Sequence, residues 1–161
     1  MTETPTGPRL THVDAHGAAR MVDVTAKAVT ARVATAAGRV LVSPEVVALL
    51  RGEGVPKGDA IAVARIAGIA GAKRTPDLIP LCHPIALHGV TVELEVTDEA
   101  VVITATARTA DRTGVEMEAL TSVAVAGLTV IDMVKAVDPR AVISDVRLLA
   151  KSGGKKGDWS R

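Results

Sequence analysis

The 161-residue sequence predicts an α+β domain, an antiparallel sheet with helices on one face. Three patterns point there. Residues 28–42, 89–96, 101–110 and 141–149 read as strands, and 89–96 alternates cleanly between apolar and polar side chains, the period of a half-buried strand. Two helix-start signals lie between the first and second of these runs, and a long apolar stretch without proline, 115–138, lies between the third and fourth. The order is therefore strand, two helices, strand, strand, helix, strand. Counting the two helices as one crossover gives the βαββαβ arrangement of ferredoxin-like folds. That arrangement does not choose a function.

Taken in order, residues 1–10 are expected to be disordered, 11–152 to form the single domain and 153–161 to be a flexible basic tail. In LTHVDAHGAARMVDVTAK, the Asp, His and Gly residues mark a turn and MVDV a short strand. Ser43 is placed to cap a short helix, with Pro44 at its first position and Glu45 in its first turn; Gly52 and Gly54 end it. Asp59 is the N-cap candidate of a second helix reaching about Arg74. Gly68 and Gly71 inside that helix cost propensity, which predicts close packing against another element. The next segment, TPDLIPLCHPIAL, holds Pro76, Pro80 and Pro84, which exclude a regular helix or a central strand. It reads as an ordered loop, apolar enough to be held against something. Asp98 and Glu99 turn a hairpin. The stretch 115–138 reads as one helix, with Glu116 and Glu118 in its first turns and Lys135 in its last, the polarity a helix dipole favours; Pro139 breaks it.

Composition narrows the class. The chain has no Phe, no Tyr and one Trp, Trp159, so its core must be built from Val, Ala, Ile and Leu. Such side chains each bury little area, and association with other copies would cover more. The single cysteine, Cys82, excludes an internal disulfide and fits a reducing compartment. The start MTETPTGPR lacks the basic and apolar regions of a signal peptide. The longest nearly apolar run, 119–131, is bounded by Glu118 and Asp132 and is short for a bilayer span. A soluble cytoplasmic protein is expected, with no membrane partner. The formal net charge is +1, but Arg147, Lys151, Lys155, Lys156 and Arg161 are opposed near the C-terminus only by Asp145 and Asp158. That cluster is either an anion-docking surface or a solvated tail.

Chemistry gathers at the two ends of the long helix. Asp132 and Lys135 are three residues apart and meet on one face. Flanked by Val134, Ala136 and Val137, a partly desolvated Lys135 could act as a general acid or base; the plain alternative is a surface ion pair. At the other end stand Glu116, Met117 and Glu118. The line Glu118, Thr121, Val125, Leu128, Asp132, Lys135 follows one side of the helix, yet Glu118 and Asp132 are roughly 21 Å apart at the helical rise. One site could use both ends only if a second chain bridged them. LCHP sets Cys82 beside His83, a nucleophile or phosphate-binding pair, or simply a packed loop. No second Cys and no HxxxH spacing supports a metal site. Lys57 precedes a helix start, where it either meets an anion or is solvated. SGGKK lacks the G-x-x-x-x-G-K-[ST] spacing of a phosphate loop. His12, His16 and His88 have no evident partner in the sequence.

The segments LTHVDAHGAARMVDVTAK, KGDAIAVARIAGIAGAKRTPDLIPLCHP, TGVEMEALTSVAVAGLTVIDMVKAVD and VRLLAKSGGKKGD occur in that order. Together they resemble the bacterial cyclic pyranopterin monophosphate synthases, protein C of molybdenum cofactor biosynthesis, over nearly all of residues 10–158. LIPLCHP, GVEMEALT and RLLAKSGGK are specific when they occur together. The resemblance implies conversion of (8S)-3′,8-cyclo-7,8-dihydroguanosine 5′-triphosphate into cyclic pyranopterin monophosphate with loss of pyrophosphate. It implies a substrate supplied by a radical S-adenosylmethionine enzyme, no redox cofactor, a ferredoxin-like fold and a homohexamer of three dimers with sites at the dimer interface. Matched residue by residue, it places the catalytic pair on Asp132 and Lys135 and substrate contacts on Leu81, Cys82, His83, Met117 and Glu118, with Lys57, Glu116 and Lys151 as further polar positions. A triphosphate needs cations, for which Lys57, His83 and Lys151 are candidates, and a guanine-like edge needs acceptors, which Glu116 or Glu118 could provide.

Two other classes compete. A ferredoxin-like domain with a basic tail is a shape used to bind RNA, but such readers stack bases on aromatic side chains, and the predicted strands hold none. A non-catalytic scaffold is the third reading, opposed by the Asp132–Lys135 pair.

Overall fold

The structure, a computed structural model, describes residues 7–52 and 59–161. Its centre is β1 (Thr30–Leu41), which pairs antiparallel on one edge with β3 (Ala100–Asp111), from Thr30 opposite Asp111 to Leu41 opposite Ala100. On its other edge β1 pairs with β4 (Val142–Ser152). β2 (Gly89–Val96) forms the hairpin with β3, and β5 (Trp159–Ser160) adds a two-residue edge to β4. The sheet order is β2-β3-β1-β4-β5, all antiparallel. The helices are α1 (Pro44–Arg51), α2 (Ala60–Lys73), the one-turn α3 (Thr75–Leu78) and α4 (Glu116–Val134). This is the ferredoxin-like α+β arrangement the sequence predicts.

Local chemistry sets the element ends. The Ser43 hydroxyl accepts from the Val46 N–H at 3.3 Å and caps α1. The Asp59 carboxylate accepts from the Ala62 N–H at 2.9 Å and caps α2. Asp138 ties the turn after α4 to the start of α1, accepting from the Ser43 N–H at 2.8 Å and from the Arg140 N–H at 3.0 Å.

The core lies between the sheet and α4. Ala119, Val123, Ala126, Val130 and Val134 of α4 are buried against Ala34, Ala36 and Val40 of β1 and Ile103, Ala105 and Ala107 of β3. Small side chains let these layers approach closely. α2 packs on α4 through its glycines. A Cβ at Gly68 would meet the Ser122 carbonyl at 3.1 Å, and one at Gly71 would meet Val125 at 2.8 Å, so the propensity lost at both positions is recovered as helix contact. By length and composition alone α4 could cross a membrane, with mean hydropathy 1.6 over an 18-residue window, but 56% of that window is buried inside the domain.

Four details depart from the sequence reading. MVDV is not a strand. The Asp23 carboxylate takes the Thr25 N–H at 2.9 Å and the Val22 carbonyl is taken by a histidine ring, so these backbone groups are satisfied without a ladder. The Pro-rich segment opens with α3 before becoming a loop. α4 closes at Val134, and Lys135 is its C-cap. The chain then tightens, with the Val137 and Asp138 N–H groups both donating to the Val134 carbonyl, each at 2.9 Å. At the far end, where composition predicts a flexible tail over 153–161, Trp159 pairs with Lys151 and Ser160 with Ala150.

Candidate active site

The N-terminus of α4, the loop after α3 and the segment before β1 meet around a cavity of about 280 Å³. Six of the predicted substrate residues line it: Leu81, Cys82 and His83 from the loop, and Glu116, Met117 and Glu118 from the first turn of α4. Two motifs separated by more than thirty residues of chain (the two strands β2 and β3 and their turns) are thus brought to one cleft. The fold does this by returning the β2–β3 hairpin across the sheet.

His83 is oriented by the chain ahead of β1. Its Nε2 lies 2.5 Å from the Val22 carbonyl. A carbonyl can only accept, so Nε2 carries the proton and Nδ1 remains available to a ligand. The loop is braced by the Cys82 N–H donating to the Ile79 carbonyl at 3.1 Å.

Glu118 is 3% exposed. Burial pushes its carboxyl up to about 7, against the pull of its own backbone N–H and with added repulsion from Glu116. Near neutrality it therefore exists as both acid and carboxylate, able to donate to or accept from a heterocyclic edge. The Cys82 thiol is also raised, by burial first and then by the Glu118 charge. Raising it suppresses the thiolate, so the cleft does not activate Cys82 as a nucleophile.

Glu116 folds back over Gly114, where a Cβ would collide with its carboxylate. Its Oε1 lies 3.4 Å from Lys151 Nζ on β4. Lys151 itself lines a neighbouring groove of about 330 Å³ beside Trp159, not the cleft. Asp132 and Lys135 stand at the opposite end of α4, with Nζ to Oδ1 at 2.6 Å and side chains 56% and 58% exposed. Of the two readings the sequence leaves open for this pair, a partly desolvated Lys135 and a surface ion pair, the single chain shows the second, with both side chains turned outward. Lys57 lies outside the described residues.

Sequence reasoning assigned no place in the site to two basic cleft residues, His12 and Lys27, and weighed a third, Lys156, only within the C-terminal basic cluster. His12, Lys27 and Lys156 also line the cavity. The His12 ring makes one long contact, 3.4 Å, with the Arg20 carbonyl, while its own carbonyl accepts from the Arg20 N–H at 2.8 Å, and nothing in its spacing announces the site. Lys27 ends the segment LTHVDAHGAARMVDVTAK and Lys156 lies in SGGKKGD, both already notable as blocks. The signal was the block, not the residue.

These features define a ferredoxin-like domain whose cleft pairs cations with a titrating carboxyl, suited to an anionic heterocyclic small molecule. The chain belongs to the MoaC family, which it matches over residues 21–154. It is 73% identical over 160 residues to a cyclic pyranopterin monophosphate synthase of Streptomyces griseus, covering 99% of this chain and 90% of that one. The synthase of a Nocardioides species is 68% identical over 164 residues, covering 100% of this chain and 99% of its own. A cyclic pyranopterin monophosphate synthase 2 of Mycobacterium tuberculosis is 60% identical over 152 residues, covering 94% of this chain and 91% of the relative.

Proposed function

We propose that this chain is an enzyme of molybdenum cofactor biosynthesis. It converts (8S)-3′,8-cyclo-7,8-dihydroguanosine 5′-triphosphate into cyclic pyranopterin monophosphate and releases pyrophosphate. The observation that carries the proposal is the meeting of the LCHP and GVEMEA side chains in one cleft, beside cations, in a chain similar to named synthases over 99% or more of its residues.

The reaction opens and recloses a ring and transfers the α-phosphate to a ribose-derived hydroxyl, with pyrophosphate leaving. Each step moves protons. Glu118 and Glu116 face the guanine-like edge, and His83 offers Nδ1. Lys135 shuttles protons, and Asp132 holds its ammonium at 2.6 Å and orients it. No redox cofactor enters.

The cleft and the Asp132–Lys135 pair are separated by roughly 21 Å along α4. A volume of about 280 Å³ is also small for a nucleoside triphosphate. Both facts support a site completed by a second copy, whose own Asp132 and Lys135 would face the first copy's cleft. Leu128, 59% exposed one turn before Asp132, adds apolar surface for such an interface. The assembly that fits is a homohexamer, a trimer of dimers, working in the cytoplasm downstream of a radical S-adenosylmethionine enzyme. RNA binding is disfavoured, since the strands β1–β4 carry no aromatic residue.

Incubating the purified protein with the cyclised nucleotide tests the reading. Stoichiometric pyrophosphate and a fluorescent pterin after oxidation are expected. Their absence, with protein that is folded and oligomeric, would overturn it.

A further inference from the structure

We propose that the strap following β4, residues 153–160, is part of the substrate site, and that Lys156 is a second cation for the phosphate end of the ligand, together with Lys27. This rests on the reading above that the cleft takes an anionic nucleotide.

The strap is built to a fixed course. Gly153, Gly154 and Gly157 have φ of 83°, 84° and 69°, the left-handed region that side chains disfavour. A Cβ at Gly153 would run into the Ala31 carbonyl oxygen and one at Gly154 into the Arg32 guanidinium, so the turn lies directly on the start of β1. The Gly153 N–H donates to the Asp158 carboxylate at 3.1 Å, and the Gly157 N–H to the Gly154 carbonyl at 3.2 Å. The far end is anchored by β5, and the Arg161 N–H donates to the Leu149 carbonyl at 2.8 Å and its Nε to the Leu148 carbonyl at 3.0 Å.

Between these anchors Lys156 lines the cleft, as does Lys27. Among the described residues no ion pair engages either lysine. Of the two cleft acids, Glu116 is already beside Lys151, and Glu118 is partly protonated near neutrality. The two lysines therefore keep their charge for a ligand. A phosphate chain is the chemical class that two lysines lining one cleft recognise.

The test uses the full-length protein, with inorganic tripolyphosphate as probe, followed by calorimetry and by the emission of Trp159, the only tryptophan and itself in the strap. Wild type is expected to bind and to change Trp159 emission. Lys156→Ala is expected to weaken binding about tenfold, the loss of one charge-assisted contact, while Lys156→Arg stays near wild type. In turnover, KM should rise by about the same factor with kcat within about twofold. Lys156→Gln serves if the alanine variant does not fold. Binding by either neutral variant within about twofold of wild type would overturn the inference, as would a fall in kcat at unchanged KM, or tripolyphosphate binding that leaves Trp159 silent. Normal tripolyphosphate binding in a wild type that makes no pterin product would instead count against the proposed reaction and leave the strap assignment standing.

Discussion

Replacing Glu118 by Gln should stabilise the protein at alkaline pH and leave it nearly unchanged at acid pH. Folding raises the Glu118 carboxyl from 4.5 to about 7, so the folded state holds its proton more tightly than the unfolded chain. Below about pH 4.5 both states are protonated and the residue carries no penalty. Between about pH 4.5 and 7 the unfolded chain ionises first, and stability falls as pH rises. Above about pH 7 both are ionised and the penalty is constant. The full shift corresponds to about 3 kcal/mol, and screening by the open cleft trims it to about 1–3 kcal/mol. Glutamine has nearly the same shape and cannot ionise. The readout is urea unfolding of wild type and Glu118→Gln at pH 5 and pH 8, at one protein concentration. The variant should gain about 1–3 kcal/mol relative to wild type between the two pH values. Asp14, Asp23 and Asp145 have lowered carboxyls, so their contribution is lost only at more acid pH, and it cancels in the comparison. A pH-independent difference, or one of opposite sign, would refute burial as the dominant influence on Glu118.

Three further outcomes are expected. Lys135→Ala should remain folded and bind nucleotide but lose turnover by at least about a hundredfold, read as pyrophosphate release; substantial residual activity would remove Lys135 from the chemistry. Cys82→Ser should keep most activity, and Cys82 alkylation by iodoacetamide should be slow at pH 8, faster at higher pH, and faster again in Glu118→Gln, which removes the charge that raises the thiol; equal rates in the two proteins would count against that coupling. Gly71→Ala gains about 1 kcal/mol of helix propensity but forces a Cβ to within 2.8 Å of Val125, an overpacking cost of about 1–3 kcal/mol, so net destabilisation in thermal or urea unfolding is expected.

The fold was legible because most of it is written in local code. Alternation marks β2 and β3, Ser43 and Asp59 mark two helix starts, and Pro139 marks where α4 must already have stopped. Gly68 and Gly71 disclosed a helix contact before any partner was visible, since a glycine inside a helix needs a reason. What failed was decided at a distance. MVDV has strand composition, but His83, from a loop sixty-one residues later, takes its carbonyl. Trp159 and Ser160 look like tail until β4 offers them an open edge.

The site divides along the same line. Resemblance supplied Leu81 to His83 and Glu116 to Glu118, and the cleft gathers all six. It did not supply His12 or Lys156, because a lone His or Lys carries no spacing signal; only tertiary placement makes it a cleft residue. α4 explains why two distant groups belong in one account. Its first turn buries a carboxyl, and its last turn presents an amine held by a carboxylate and open to solvent. A helix that were only core would not need Asp132 and Lys135 exposed beside Leu128, and an exposed ion pair of that kind contributes little to stability, about 0–1 kcal/mol. On the proposed reading, the surface that would approach it is the cleft of another copy, because within one chain the cleft and this pair stand roughly 21 Å apart along α4.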